Sequence, residues 1–289
     1  MQTLKDRINS CLPIAASALM SMLLCLMCVY SEESYTGLEF KPIIEYMLTE
    51  KSDIFLNSSS LYAAPLVACS QWNNWFPLFL PVLCAVPFIR ELSFEMKGAY
   101  RFRVTREKDF SNYYGKTFFR SVLSGSASVS IGYGLFSALV FIYYPHNSDY
   151  PEKAIDPNLQ RNILDSPLNN LFGSQSEFLY WLSTALSVFA CAFLISAVCF
   201  LIYIALMNKY KALGYPLIVS FLSERAVTSL WLGGKPKALI FSPRYLMFWT
   251  KITMHEWGAD YPAFFALIFL TAAVIYFVAK PIFRKRVMN

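Results

Sequence analysis

The chain has 289 residues, of which 56% are hydrophobic, 17% aromatic and only 15% charged, with a formal net charge of +6 and a mean hydropathy of +0.42. An average soluble domain is about 45–50% apolar and about 25% charged. This is too few charged residues to cover the surface of a soluble protein, so the composition excludes an ordinary cytoplasmic globular protein and a disordered chain. It indicates a protein embedded in lipid.

Long apolar segments recur along the whole chain. A helix needs about 20 mostly apolar residues to cross the hydrocarbon core of a bilayer, and six segments approach this length. The sequence therefore predicts an all-α polytopic membrane protein, a single transmembrane domain over residues 1–289 with short interfacial helices in the outer loops. The predicted spans are 12–30, 72–90, 120–144, 178–207, 213–232 and 262–280.

Lysine and arginine are unevenly shared between the two sides of these spans. If the N-terminus is cytoplasmic, the inner segments hold sixteen Lys and Arg residues and the outer segments hold eight. Basic residues close to span ends prefer the cytoplasmic side. The count predicts a multi-pass protein of the plasma membrane with both termini in the cytoplasm.

The predicted cytoplasmic loop 90–119 is the most informative segment, with the sequence RELSFEMKGAYRFRVTREKDFSNYYGKTFFR over 90–120. Two acidic residues share a helical face, a glycine suited to ending the helix follows, and then a basic run. The run either binds anionic lipid headgroups or docks a cytoplasmic partner. The residues that carry this pattern are Glu91, Glu95, Gly98, Arg101, Arg103 and Arg106, with Lys116 where the third span begins.

The third span is rich in small residues at helical spacing. Small residues four apart let two helix backbones approach closely in lipid, either within one chain or at a subunit or pathway interface. The predicted packing faces are Ser124, Ser128 and Gly132, and Ser126, Ser130 and Gly134.

Glu224 and Arg225 are formal charges inside the fifth span. Glu224 lies about 16 Å along the helix from the start of the span, close to the midplane of a core about 30 Å thick. A charge there costs at least about 2.5–3.5 kcal/mol if lipid surrounds it. The pair is therefore predicted to turn inward, toward other helices or a second subunit, and to serve the pathway or its gating. A tilted or broken helix that brings both charges to polar surroundings is the alternative.

The loop pattern E…(M)KGAYRFR…TREKDFSNYYGK resembles the segment after the second span in permeases of the ABC transporter type-2 family. The proline-punctuated WFPLFLPVLCAVPFIREL and the later LGYPLIVSFL and IFSPRYL are similar to the second span, the fifth span and the following loop of small members from Firmicutes. This resemblance implies an ATP-driven exporter with a separate ATPase subunit that binds ATP and Mg²⁺. It also implies that Glu91 or Glu95, Gly98, Arg101 to Arg106 and Lys116 belong to the coupling element, and that a second copy or a related permease completes the pathway.

No sequence pattern for catalysis or cofactor binding stands out. The chain has no GxxxxGK[ST], HExxH or GxSxG motif. His255, Glu256 and Asp260 are too few to bind a zinc ion, and their spacing matches no known zinc motif. We therefore expect no enzyme activity, no metal, no cofactor in this chain and no nucleic acid partner. A second hypothesis is a non-transporting assembly or immunity factor that binds a partner through its outer loops.

Overall fold

The computed structural model describes residues 2–34, 37–48, 75–94, 110–143, 166–174, 176–232 and 261–288. Helices dominate this part of the chain, and one short antiparallel hairpin interrupts them. In chain order the elements are α1 (Gln2–Leu26), β1 (Val29–Ser34), β2 (Gly37–Pro42), α2 (Ile43–Leu48), α3 (Trp75–Phe94), α4 (Phe110–Tyr143), α5 (Pro167–Phe172), α6 (Glu177–Leu206), α7 (Lys209–Leu232) and α8 (Tyr261–Met288).

Three helices, α3, α4 and α6, pack against one another at the centre of the bundle. The other long helices lie on this centre. Helix α1 packs in the groove between α3 and α4, and α7 packs in the groove between α3 and α6. Helix α8 packs along α6 and contacts α4 at one end. The arrangement confirms the predicted all-α bundle.

Four of the described helices are long and apolar enough to cross a membrane, and they lie in α3, α4, α6 and α8. They coincide with four of the six predicted spans, so the chain is a membrane-embedded protein. Helix α7 has 24 residues but is not among the four. The apolar part of α1, Cys11–Leu26, is shorter than the four.

The predicted span 12–30 differs from the structure at its outer end. Helix α1 ends at Leu26, and Val29 begins a hairpin whose register runs from Val29 opposite Pro42 to Ser34 opposite Gly37. The backbone N–H of Ile43 donates to the Cys28 carbonyl oxygen over 2.9 Å, which closes the hairpin against the end of α1. The short helix α2 then follows the hairpin from Ile43 to Leu48, in the first of the predicted outer loops.

Helix α3 contains three prolines, Pro77 in its first turn and Pro81 and Pro87 in its interior, and another helix compensates for Pro87. Pro87 has no backbone N–H, so the Leu83 carbonyl oxygen four residues earlier lacks its usual helical donor. The buried Ser17 hydroxyl of α1 donates to that oxygen over 2.6 Å. A carbonyl left bare in a membrane costs several kcal/mol, so this bond both satisfies α3 and holds α1 against it.

An aromatic cluster joins α4, α6 and α8 near the start of α4. The Tyr114 hydroxyl donates to the Tyr276 carbonyl oxygen over 2.7 Å, and the two rings lie 4.9 Å apart. The Phe118 ring meets Phe200 of α6 edge-on at 5.2 Å and Tyr276 at 5.1 Å. Offset and edge-on ring pairs add about 0.5–1.5 kcal/mol beyond burial, so this cluster anchors the otherwise exposed helix α8.

Candidate functional site

The N-terminus of α4 and the C-termini of α6 and α8 lie together at one end of the bundle. Lys280 Nζ of α8 lies 2.8 Å from Ser111 Oγ at the start of α4. Arg286 Nη2 donates to the Ala205 carbonyl oxygen near the end of α6 over 2.8 Å. The chain passes from α6 into α7 at this same end, since only residues 207 and 208 separate the two helices.

Helix α1 starts at this end too. Ser17 Oγ lies 3.2 Å from Ser128 Oγ of α4, and one turn further along both helices Ser21 lies beside Gly132. The two helices therefore run in the same direction, and their first residues share one end of the bundle. The first described residues of α1 and the last described residues of α8 consequently lie at the end that holds Lys280 and Arg286.

A salt bridge connects the two helices that flank the predicted coupling loop. Arg120 Nη2 of α4 lies 2.7 Å from Glu91 Oε1 of α3. The side chains are 64% and 42% exposed, so the pair contributes at most about 1 kcal/mol to stability. Its consequence is geometric, because it holds the end of α3 against the first turns of α4.

The predicted loop 90–119 is shorter in the structure than the sequence suggested. Helix α3 continues to Phe94 and α4 begins at Phe110, and no proline interrupts either stretch. Glu91 and Lys116 therefore lie on helices, and Lys116 is exposed one turn before Arg120. The remaining predicted coupling residues, Glu95, Gly98, Arg101, Arg103 and Arg106, lie outside the described residues.

The helix ends gathered here are strongly basic. Glu91 is the one acidic side chain described in the last turns of α3, α6 and α8 and the first turns of α4 and α7. Such a surface attracts anionic groups, whether on a lipid or on a protein. The basic end, as we call it, carries Arg90, Lys116, Arg120, Lys209, Lys211, Lys280, Arg284, Lys285 and Arg286.

Gly125 marks the closest approach of the central helices. A Cβ atom at Gly125 would overlap the Cys84 carbonyl oxygen of α3 and would lie 2.5 Å from Ser196 Oγ of α6. A Cβ at Gly132 would overlap the Ala18 carbonyl oxygen of α1 and lie 2.6 Å from the Ser21 side chain. Small residues on α4 thus let three neighbouring helices approach its backbone.

The residues of the two predicted small-residue faces differ in burial. Ser126, Ser128 and Gly132 are buried, while Ser124, Ser130 and Gly134 are only half-buried. A Cβ at Gly134 would meet nothing within 4 Å. The buried members contact helices of the same chain, so this seam is intramolecular packing.

Sequence reasoning missed Gly125 as a packing residue. The available signal was its spacing of seven from Gly132, which places two glycines on one helical face. Several of the serine hydroxyls on α4 donate to backbone carbonyls of their own helix, as Ser126 does to Val122 over 3.0 Å and Ser130 to Ser126 over 2.8 Å. These hydroxyls are satisfied locally, so they do not require a polar pathway beside them.

Glu224 and Arg225 have different surroundings on α7. Glu224 is half-buried and interacts within its own chain, whereas Arg225 is exposed. The Arg225 guanidinium lies 5.5 Å from the centre of the Phe221 ring, within reach of a cation–π interaction. Successive helical residues point about 100° apart, which is why only one of the two approaches the bundle. Within one chain, therefore, Glu224 is the residue of the pair that turns toward the bundle, and the predicted turn of Arg225 toward a second subunit stays a prediction.

Comparisons with known proteins identify no relative, since no family model, no curated protein and no solved structure matches this chain. Among the described residues, no group of three or more His, Cys, Asp or Glu side chains is placed to hold a metal ion.

Proposed function

We propose that this chain is the membrane subunit of an ABC transporter of the type-2 permease family, an exporter energised by a separate ATPase subunit. In this proposal all six long helices cross the plasma membrane, including α1 and α7, and the basic end faces the cytoplasm. The excess of Lys and Arg in the predicted inner segments supports that orientation.

The observation that carries the proposal is the position of the two helices that flank the basic connection. Helices α3 and α4 are two of the three central helices, and both begin or end at the basic end. Glu91 and Arg120 hold them together there. A subunit that pushes on the connection therefore acts on the centre of the bundle rather than on a peripheral helix.

ATP and Mg²⁺ belong to the partner subunit in this proposal, because the sequence contains no phosphate-binding GxxxxGK[ST] loop. This chain contributes the docking surface and the helices that move. The helices are closely packed at Gly125 and Gly132, so the small-residue seam inside the chain has no room for a substrate there. In this proposal the substrate path therefore runs between two permease subunits. The second permease subunit is either another copy of this chain or a related permease.

Co-purification with an ATPase subunit tests the proposal, and the candidate is an ATPase with a GxxxxGK[ST] motif, sought first among the neighbouring genes. We expect the wild-type pair to co-purify and to hydrolyse ATP faster when substrate is added. Replacing Arg101, Arg103 and Arg106 together by alanine should abolish co-purification without unfolding the bundle. A matched variant that removes three basic residues from the outer side, Lys235, Lys237 and Arg244, should retain it.

Other results point to the alternatives. If the inner variant still binds and shows normal stimulated ATP turnover, the basic run contacts lipid headgroups instead of the ATPase. If no ATPase co-purifies with the wild-type chain, the transporter proposal fails, and a membrane factor that binds a partner through its outer loops becomes the better account.

A further inference from the structure

Between the start of α4 and the end of α8 lies a lysine that has no acidic partner among the described residues. Lys280 is half-buried, and its Nζ lies 2.8 Å from the neutral hydroxyl of Ser111. The acidic side chain described at this end of the bundle, Glu91, is bonded to Arg120 instead. Taking an ammonium group partly out of water without a counter-charge costs free energy, so an anion bound here would stabilise it.

The position of Lys280 along α8 matches the depth of phospholipid headgroups. The membrane-compatible part of α8 begins at Pro262, and the helix rises about 27 Å from there to Lys280. The hydrocarbon core of a bilayer is about 30 Å thick, so Lys280 lies near its edge. One turn further along α8, the Arg284 guanidinium lies 6.0 Å from the centre of the Phe110 ring. Two positive charges therefore lie at the level of the lipid phosphates.

Exposed aromatic side chains continue from these charges toward the membrane centre. Phe277 is seven residues before Arg284, on the same face of α8, and is 68% exposed. Phe119 of α4 is 50% exposed, and its ring lies 5.9 Å from the ring of Tyr276, the neighbour of Phe277. Helix α8 contacts α4 at this end and packs on α6 further along. A groove with apolar walls therefore opens below the two charges, and we call it the α4–α8 groove.

We propose that the α4–α8 groove binds one anionic phospholipid of the adjacent leaflet, with its phosphate between Lys280 and Arg284. Its acyl chains then lie along Phe119 and Phe277. Ammonium and guanidinium groups both donate charge-assisted hydrogen bonds to phosphate oxygens. A zwitterionic headgroup would add a positive charge beside them, which favours an anionic lipid, and the apolar walls favour a lipid over a soluble phosphate. The site requires α4 and α8 to cross the membrane and does not depend on an ATPase.

Native mass spectrometry of the purified chain in neutral detergent, without any ATPase, measures the lipid preference. Dioleoyl-phosphatidylglycerol and dioleoyl-phosphatidylcholine are added in turn, because they differ only in the headgroup. We expect the first phosphatidylglycerol to bind at least about ten times more tightly than the first phosphatidylcholine. The double variant Lys280→Gln, Arg284→Gln should weaken phosphatidylglycerol binding about tenfold and leave phosphatidylcholine binding nearly unchanged.

Two controls separate this site from general attraction to a basic surface. The double variant Lys209→Gln, Lys211→Gln removes the same charge from the same end of the bundle, at the exposed start of α7, and should keep the full preference. Glycerol 3-phosphate carries a phosphate without acyl chains and should not displace the bound phosphatidylglycerol even in large excess.

Photolabelling of the wild-type chain needs no variant to fold. A phosphatidylglycerol with a diazirine on one acyl chain, in nanodiscs of phosphatidylcholine, should label the peptides that contain Phe119 and Phe277. The matching phosphatidylcholine probe should label these two peptides less, and it should label the exposed Leu19 of α1 as strongly as the phosphatidylglycerol probe does.

Several results would overturn the proposal. They are equal binding of the two lipids, an equal loss in the α7 control variant, displacement by glycerol 3-phosphate, and labelling of the two peptides that is the same for both probes. The ATPase is scored separately in the experiment given above. If the ATPase binds but the lipid preference is absent, the lipid site is wrong and the transporter proposal stands. If the preference is found and no ATPase binds, the lipid site stands and the transporter proposal fails.

Discussion

Alanine at Gly125 and alanine at Gly134 should have opposite effects on stability, although both residues lie on α4. Gly→Ala removes the conformational entropy cost of glycine in a helix, about 0.5–1 kcal/mol, and this gain is common to both sites. At Gly125 the new Cβ overlaps the Cys84 carbonyl oxygen, which is backbone and cannot rotate away. Overpacking of this kind costs about 1–3 kcal/mol. At Gly134 nothing lies within 4 Å.

The helix term cancels when the two variants are compared, so Gly125→Ala should be less stable than Gly134→Ala by about 1–3 kcal/mol. Titration with SDS of each purified variant in mixed micelles measures the difference. Gly134→Ala should unfold at the same or higher SDS than the wild type. Equal stability of the two alanine variants would refute the close approach of α3 and α4 at Gly125.

Three further outcomes follow from the contacts. Ser17→Ala should lower the free energy of unfolding by about 0.6–1.7 kcal/mol. The loss should be smaller in a Pro87→Ala background, because residue 87 then has a backbone N–H that can donate to the Leu83 carbonyl oxygen. A double-mutant cycle that shows no coupling between the two positions would contradict this hydrogen bond. Glu91→Gln should change stability by no more than about 1 kcal/mol, because its partner Arg120 is mostly exposed; a larger loss in the same titration would mean that the pair is structural. In the ATPase experiment, the same Glu91→Gln variant should reduce substrate-stimulated hydrolysis more than ATPase binding, and an unchanged rate would show that the pair does not transmit motion.

The long apolar helices could be predicted from the sequence because the length of an apolar run is itself what makes a membrane-crossing helix favourable. A long run without charge, such as the one that forms α6, has no stable alternative in lipid to a spanning helix. For that reason, four of the predicted spans coincide with helices that are long and apolar enough to cross a membrane. Helix boundaries were less predictable, since two stretches with polar or charged side chains, Glu91 to Phe94 and Phe110 to Lys116, continue their helices beyond the apolar core.

Tertiary pairing explains most of what the sequence did not reveal. A small residue at helical spacing is visible in the sequence, but the neighbour that fills the space is not. Gly125 meets α3 and α6, whereas a Cβ at Gly134, one of the predicted residues, would meet no described residue within 4 Å. The hairpin that follows α1 was missed because β1 and β2 carry several charges and lack a clear alternation of apolar residues. Its strands are held by pairing with each other.

Accessibility of single cysteines in intact cells tests the central claim most directly, namely that six helices cross the membrane with the basic end inside. In a cysteine-free background, an impermeant thiol reagent should label cysteines introduced at positions 52, 160 and 245 and should not label those at 104 and 286. Position 245 follows α7 and position 286 lies at the end of α8, so together they report whether α7 crosses. Labelling of both 104 and 286 from outside would contradict the orientation, and protection of 245 would remove α7 from the membrane-crossing helices.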